Sequence, residues 1–284
     1  MRYAAVTLLL AVLAPSAVRP QSPKPESPPP SSRQKIPGPE MYKVKPQLDS
    51  PLRLSVETYW LDAKLETKGV YGNGYEAYSS VKNLSDRTVS AYAVRPPVGI
   101  EIPGLCVRNL PPDKILQPGQ SEGTSTWGSY SPSMPVHTFE VDFVEFTDGT
   151  TWGADLCRSA ESLAGQRAGG AAAAGRLLEL LAVGDPDAVM KTVRGELAGW
   201  GPDAVFKEAV RLGLARRGPD GALMAVKVES SDAARDSVHS PVWELGFLIG
   251  TKSMAYRVRD AFKKSGPEGV ESTLRGPYDA AAVK

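Results

Sequence analysis

"VDFVEFTDGTTWGADLC", residues 141–157, contains an Asp-Gly pair between two arms of β-branched and aromatic residues. Such a pair favours a two-residue hairpin turn, because a type I′ turn needs positive φ at both central positions. With Asp148 and Gly149 in those positions, Glu145 pairs with Trp152. The stretch therefore predicts two antiparallel strands, and the register of this hairpin determines which side chains share a face of the sheet.

Side chains along these strands alternate between two faces. One face is apolar and is predicted to be the core face: Phe139, Val141, Phe143 and Trp152. Glu140 and Asp142 lie on the other face, where we expect them to reach water. The hairpin spreads the acidic residues over two faces and a tip, and the D-x-[DN]-x-[DN]-G spacing of a calcium loop is missing. A structural corner is therefore favoured over a metal or catalytic site.

Upstream of the hairpin, "RLSVETYW", "YEAYSSVKN" and "RTVSAYAVR" are further runs of strand-forming residues, separated by turn residues. Their spacing predicts about seven short strands between residues 53 and 154. That number fits an antiparallel immunoglobulin-like β-sandwich over residues 53–157.

"VKNLSDRTVSAYAVR", "LQPGQS" and "VDFVEFTDGTTWGAD" resemble the strand-turn-strand rhythm of small immunoglobulin-like domains in uncharacterised exported bacterial proteins. The resemblance covers about a hundred residues. It implies the sandwich fold and an exported protein. Such domains are generally binding or spacer modules, so the resemblance implies no catalytic residue.

From residue 158 the apolar spacing becomes helical, which predicts a small all-α domain over residues 158–278. An Ala- and Gly-rich helix comes first, and Gly169, Gly170 and Gly175 favour a bend or split in it. "PDAVMK" and "PDAVFK" then start an antiparallel helix pair, capped by Asp185 and Gly201. The second helix of this pair is expected to end at residues 216–219.

A later helix is predicted from Ser240 to about Lys264, ending at Gly266, with a short helix after it. Its Gly246-x-x-x-Gly250 spacing indicates a close neighbouring helix. The last residues, 279–284, are expected to fray. The predicted fold class is thus α+β and multi-domain, a sandwich followed by helices.

The N-terminus has the features of an export signal: Arg2, an eleven-residue apolar run and small residues at a cleavage site. Cleavage is predicted after Ser16, with Ala17 as the alternative. Residues 17–52 hold ten prolines, which predicts an extended tether, either a plain spacer or a ligand for a proline-binding partner. The mature chain is expected to have no transmembrane segment.

Cys106 and Cys157 are the chain's two cysteines. In an exported chain they favour a disulfide, with two unpaired or intermolecular thiols as the alternative. No C-x-x-C redox pair is present.

Motifs of catalysis are nearly absent from this sequence. His137 and His239 form no zinc spacing, and no phosphate-binding loop occurs. Ser79-x-x-Lys82 lies in a strand region, where its two residues would face opposite sides. Asn83 begins a glycosylation sequon. No cofactor is expected.

The formal net charge of +1 gives no reason to expect nucleic acid as a partner. The sequence predicts a non-enzymatic exported binding or scaffold protein, periplasmic or secreted, whose partner is an unknown protein or envelope component. Candidate surfaces are the loops near Tyr71, Asn73 and Tyr75 and the exposed face of the helical domain. The alternative is a hydrolase-like enzyme with a site between the domains.

Overall fold

A computed structural model describes residues 38, 40–60, 74–95, 102–129, 135–218, 223–226 and 239–276. The predicted signal peptide, most of the predicted tether, the C-terminal residues that were expected to fray, Tyr71 and Asn73 lie outside the described residues.

The described residues form ten strands and four helices, an α+β content as predicted. The strands are β1 (Tyr42–Val44), β2 (Leu52–Trp60), β3 (Gly74–Asn83), β4 (Val89–Arg95), β5 (Val107–Asn109), β6 (Ser121–Ser129), β7 (His137–Phe146), β8 (Thr151–Trp152), β9 (Ala215–Arg217) and β10 (Leu223–Ala225). The helices are α1 (Ser159–Ala182), α2 (Pro186–Leu197), α3 (Pro202–Arg211) and α4 (Pro241–Leu274).

The chain divides into two compact units. The first comprises residues 1–98 and 113–154, and the second comprises residues 99–112 and 155–284. Residues 99–112 therefore group with the helices, and strand β5 lies among them.

The first unit contains two sheets. In one, β3 lies between β2 and β6, and both pairings are antiparallel. In the other, β7 has β4 along one edge and β1 and β8 along the opposite edge. Side chains join the two sheets, since the hydroxyls of Tyr42 and Tyr75 lie 2.9 Å apart and Tyr92 donates to Glu122 at 3.2 Å.

Strand β1 lies inside the segment predicted to be a tether, so that prediction is wrong for residues 42–44. Tyr42 is buried and pairs in parallel with His137. The ladder is then continued by the side chain of Gln47, whose amide donates to the Val141 carbonyl and accepts from the Val141 N–H, at 2.8 and 2.9 Å. The strand forms here because Pro39 and Pro46 lie on either side of it and not within it.

The β7–β8 hairpin exists, but its predicted register is wrong by one residue. Val144 pairs with Trp152, and the N–H of Gly149 donates to the Phe146 carbonyl at 2.9 Å. Only Gly149 has positive φ in this turn, at 83°. The connection is therefore a type I turn followed by a glycine bulge, a three-residue loop that Asp-Gly serves as well as a type I′ turn.

Burial along β7 differs from the prediction on one of its faces. Phe139, Val141 and Phe143 are buried as predicted. Asp142 is also buried, at 3 % exposure, which corrects the expectation that it reaches water. Trp152 is only half-buried, and the one-residue shift places it on the face of Asp142 and Val144, opposite the one predicted.

The second unit has its core between α1, α2 and α4. The close neighbour predicted for Gly246 and Gly250 is helix α1. A Cβ atom added to Gly250 would lie 1.9 Å from the carbonyl oxygen of Gln166, and a Cβ atom added to Gly169 would lie 1.9 Å from the carbonyl oxygen of Phe247. The glycines of α1 thus allow backbone contact, and the helix is not split by them as expected but continuous over 24 residues.

Several helix ends agree with the sequence. Asp185 accepts from the Ala188 N–H at 2.8 Å, Ser240 caps α4, and Gly266 breaks that helix before Pro267.

Two features of the helical prediction are wrong. Helix α3 ends at Arg211, because Gly213 takes positive φ, and β9 and β10 then form a hairpin, so the unit is not all-α. The apolar face of α2 also packs against α1 and α4, where an antiparallel pair with α3 was expected.

Candidate functional site

Two acidic residues of the 141–157 stretch, Asp148 and Asp155, make local structural contacts. Asp155 accepts hydrogen bonds from the backbone N–H groups of Ser159 and Ala160, which begin α1. Asp148 accepts from Arg87, and this guanidinium lowers the pKa of the Asp148 carboxyl to about 2. The two carboxylates therefore bind different groups, a guanidinium at Asp148 and the first N–H groups of a helix at Asp155.

Just before this stretch, Glu140 lies between two cations. Lys45 contacts its carboxylate at 2.8 Å, and Arg95 forms a second ion pair with it. Across the described residues, no group of three or more His, Cys, Asp or Glu side chains could hold a metal ion.

The predicted disulfide between Cys106 and Cys157 is not formed in this structure. Both side chains are buried, no cysteine pair lies at disulfide distance, and the Cys106 thiol donates to the Ile102 carbonyl at 3.9 Å. The segment is held instead by main-chain and hydroxyl contacts. The Gly104 N–H donates to the Cys157 carbonyl at 2.9 Å, and the Ser162 hydroxyl donates to the Gly104 carbonyl at 2.8 Å.

Other candidate residues from the sequence are also buried or packed against neighbouring side chains. Tyr75 is fully buried in β3, so it is not part of an exposed loop. Asn83 is fully buried, and its amide donates to the Arg87 and Leu116 carbonyls at 2.7 and 3.0 Å. His239 stacks on Trp243 at the start of α4, with ring centroids 3.7 Å apart.

His137 lies beside Tyr42, with ring centroids 6.2 Å apart. Burial lowers the pKa of its imidazole, and burial together with the Tyr75 hydroxyl raises the pKa of Tyr42. These groups form part of the packing around β1.

The sheet β2–β3–β6 has one face that sequence reasoning did not single out. On β3, Tyr75, Ala77 and Val81 are buried, whereas the alternate residues are exposed or half-buried. We call the second set, with its partners on the neighbouring strands, the outer sheet face. Its described members are Arg53, Ser55, Glu57 and Tyr59 on β2, Glu76, Tyr78, Ser80 and Lys82 on β3, and Ser121, Gly123 and Ser125 on β6.

Contacts between strands fix several side chains on the outer sheet face. The hydroxyls of Ser55 and Ser80, which are directly opposite, lie 2.8 Å apart. Tyr59 donates to the carboxylate of Glu57, and this hydrogen bond raises the pKa of the tyrosine.

Gly123 lies beneath the Tyr78 side chain. A Cβ at Gly123 would be 2.3 Å from the Tyr78 phenolic oxygen, so the phenol crosses from β3 to β6 over a residue that has no side chain. Tyr78 nevertheless keeps 40 % exposure. A partly exposed aromatic ring thus lies along a sheet surface that also carries hydroxyl and charged side chains.

The alternation that produces this face was visible in "RLSVETY" and "YEAYSSVK", where Ser, Glu and Tyr occupy every second position. What the sequence did not provide was the pairing that places these three strands side by side.

None of the helices described is long and apolar enough to cross a membrane. Comparison of the chain with family models, with curated proteins and with solved structures finds no match.

Proposed function

We propose that this chain is a non-enzymatic exported binding protein whose binding surface is the outer sheet face. The observation that carries the proposal is the residue content of that face. Tyrosine supplies large contact area with few rotatable bonds, and serine and glycine supply adaptable hydrogen bonding, a combination typical of recognition surfaces. Two of its side-chain pairs, Ser55–Ser80 and Tyr59–Glu57, are hydrogen-bonded to each other. Side chains restrained by such contacts lose less rotamer entropy on binding.

The first unit is proposed to be an immunoglobulin-like sandwich, and the two units to be separate domains. The two sheets of the first unit and the Tyr42–Tyr75 and Tyr92–Glu122 contacts between them support the sandwich. Export rests on the N-terminal pattern of Arg2, an apolar run and small residues. The alternative of a hydrolase-like enzyme stays a prediction, because no observation on the described residues favours it.

Co-sedimentation of the full chain with isolated cell envelopes of the source organism tests the binding function. We expect the wild-type chain to pellet with the envelopes and the Tyr59→Ala/Tyr78→Ala double variant to remain in the supernatant. Leu84→Ala is the matched control, because Leu84 is an exposed residue of the same unit, at 47 %, and lies outside the outer sheet face. Equal pelleting of wild type and double variant would contradict the assignment of the surface.

A further inference from the structure

We infer that the ligand of the outer sheet face is a neutral polysaccharide. This inference rests on the proposed binding function and names the chemistry of its ligand. It follows from three properties of the face: the lack of aliphatic side chains at its described positions, the balance of charge at those positions, and the placement of Tyr78.

The first property separates a glycan from a protein partner. The described positions of the outer sheet face are occupied by Ser, Tyr, Glu, Arg, Lys and Gly, without an aliphatic residue. The fully buried centre of a protein–protein interface is more apolar than the interface as a whole, and the described positions of this face offer no aliphatic residue to such a centre. Hydroxyl groups, by contrast, both donate and accept hydrogen bonds, and carboxylates accept them, so such a face matches the many hydroxyls of a sugar.

The second property separates a neutral glycan from a charged one. Arg53 and Lys82 are directly opposite each other at one end of the face, and Glu57 and Glu76 lie toward the other end. The two positive and two negative charges sum to zero, so the described positions carry no net charge that would favour a polyanion or a polycation along the whole face.

The third property is the placement of an aromatic ring beside hydroxyls. Tyr78 extends over Gly123 and remains 40 % exposed, and Ser80 and Ser125 pair with Gly123 and Tyr78 in the adjoining register positions. An exposed ring lying along a surface offers its apolar face to the C–H face of a pyranose, while nearby hydroxyls bind the sugar's rim. From Ser55 to Tyr59, β2 spans about 14 Å, which suits a chain of sugars rather than one ring.

Affinity electrophoresis of the full chain in gels that contain one polysaccharide each tests the inference. The neutral probes are hydroxyethyl cellulose, laminarin and galactomannan, and the anionic probe is polygalacturonate. We expect at least one neutral probe to retard the wild-type chain and polygalacturonate not to retard it. Tyr78→Ala should raise the dissociation constant derived from the retardation about tenfold, as for loss of a central aromatic contact.

Two further variants sharpen the result. Gly123→Ala keeps the phenol but displaces it, since the new Cβ would lie only 2.3 Å from the Tyr78 phenolic oxygen, and it should also weaken retardation. Leu84→Ala should leave retardation unchanged. Thermal unfolding of each variant checks that the fold is retained.

Each other outcome overturns the inference in a recognisable way. Retardation by polygalacturonate alone, or by no probe, excludes a neutral polysaccharide. If pelleting with envelopes still depends on Tyr59 and Tyr78 in that case, the binding function stands and its ligand is of another class. Retardation that Tyr78→Ala and Gly123→Ala leave unchanged excludes this face as the glycan site.

Discussion

Strands β3 and β7 are both ten residues long and both lie between two neighbours, yet they differ in what covers them. Strand β7 is buried on both faces, with Phe143 on one and Asp142 and Val144 on the other. Strand β3 is buried on one face only, where Tyr75 and Ala77 lie, and its other face carries Tyr78 and Lys82 toward solvent. Strand β7, which has the most acidic residues, is thus a core element, and β3, whose buried and exposed residues alternate, provides the accessible surface.

The difference teaches that the density of polar residues along a strand does not identify a site. A strand with both faces covered uses its polar groups for internal contacts, because a buried polar group must be hydrogen-bonded or paired. A strand with one open face can offer its polar groups to a ligand.

The largest expected effect is that of removing a core ring from β7. Phe143→Ala should lower the free energy of unfolding by about 3–5 kcal/mol, because it leaves a cavity at a position of 2 % exposure. Tyr78→Ala on β3 should lower it by less than about 0.5 kcal/mol, as for a surface position. Urea denaturation of both variants measures the contrast. Equal losses of unfolding free energy in the two variants would contradict the view that β7 is a core strand and that one face of β3 is open to solvent.

The second comparison uses one acidic residue from each strand. Asp142→Ala should cost about 1–3 kcal/mol, because it removes a carboxylate of 3 % exposure together with the interaction that this carboxylate makes. Glu76→Ala, on the outer sheet face, should cost less than about 0.5 kcal/mol. The same denaturation experiment applies, and a costlier Glu76→Ala would mean that the open face of β3 contributes to the core.

The third comparison concerns pH at the start of β7. Burial lowers the pKa of His137 below its ordinary value of 6.5. As the pH falls, this imidazole is therefore protonated in the unfolded chain at a higher pH than in the folded chain. The stabilisation by neutral His137 is therefore present above pH 6.5 and is lost as the pH falls through the lowered pKa.

Denaturation at about pH 7.5 and about pH 5.5 measures this loss in a buffer of constant ionic strength. His137→Phe keeps a ring beside Tyr42 but cannot titrate, so its free energy of unfolding should change less between the two pH values. An equal change in both proteins would show that His137 does not contribute to the pH dependence.

The smallest expected effect is at the tip of the β7–β8 hairpin. The Asp148 carboxyl should titrate near pH 2, because Arg87 donates to both of its oxygens. In Arg87→Ala the midpoint should rise toward the ordinary value of 3.8. Carboxyl-carbon NMR follows the titration, and an unchanged midpoint in the variant would mean that Arg87 does not hold this side chain.

Local chemistry made much of the fold predictable. The caps at Asp185 and Ser240 and the break at Gly266 depend on residues next to one another in the chain, and the structure has each of them. The hairpin register was harder, since Asp148-Gly149 fits both a two-residue and a three-residue loop and the two differ by one position.

Long-range pairing was not predictable from one sequence. The parallel addition of Tyr42–Val44 to β7 joins residues almost a hundred positions apart, and burial of Asp142 depends on which elements cover β7. The outer sheet face has the same origin: its serines and tyrosines alternate visibly along the chain, but their assembly depends on the pairing of β2, β3 and β6.

Hydroxyl-radical footprinting of the full chain, free and bound to envelopes, tests most directly whether the outer sheet face binds. Tyr78 and Leu84 have similar exposure, 40 % and 47 %, and both residues belong to the first unit. We predict that binding protects Tyr59 and Tyr78 from oxidation and leaves Leu84 unchanged. Protection of Leu84 with continued oxidation of Tyr78 would contradict the account, because the ligand would then cover another surface of the same unit.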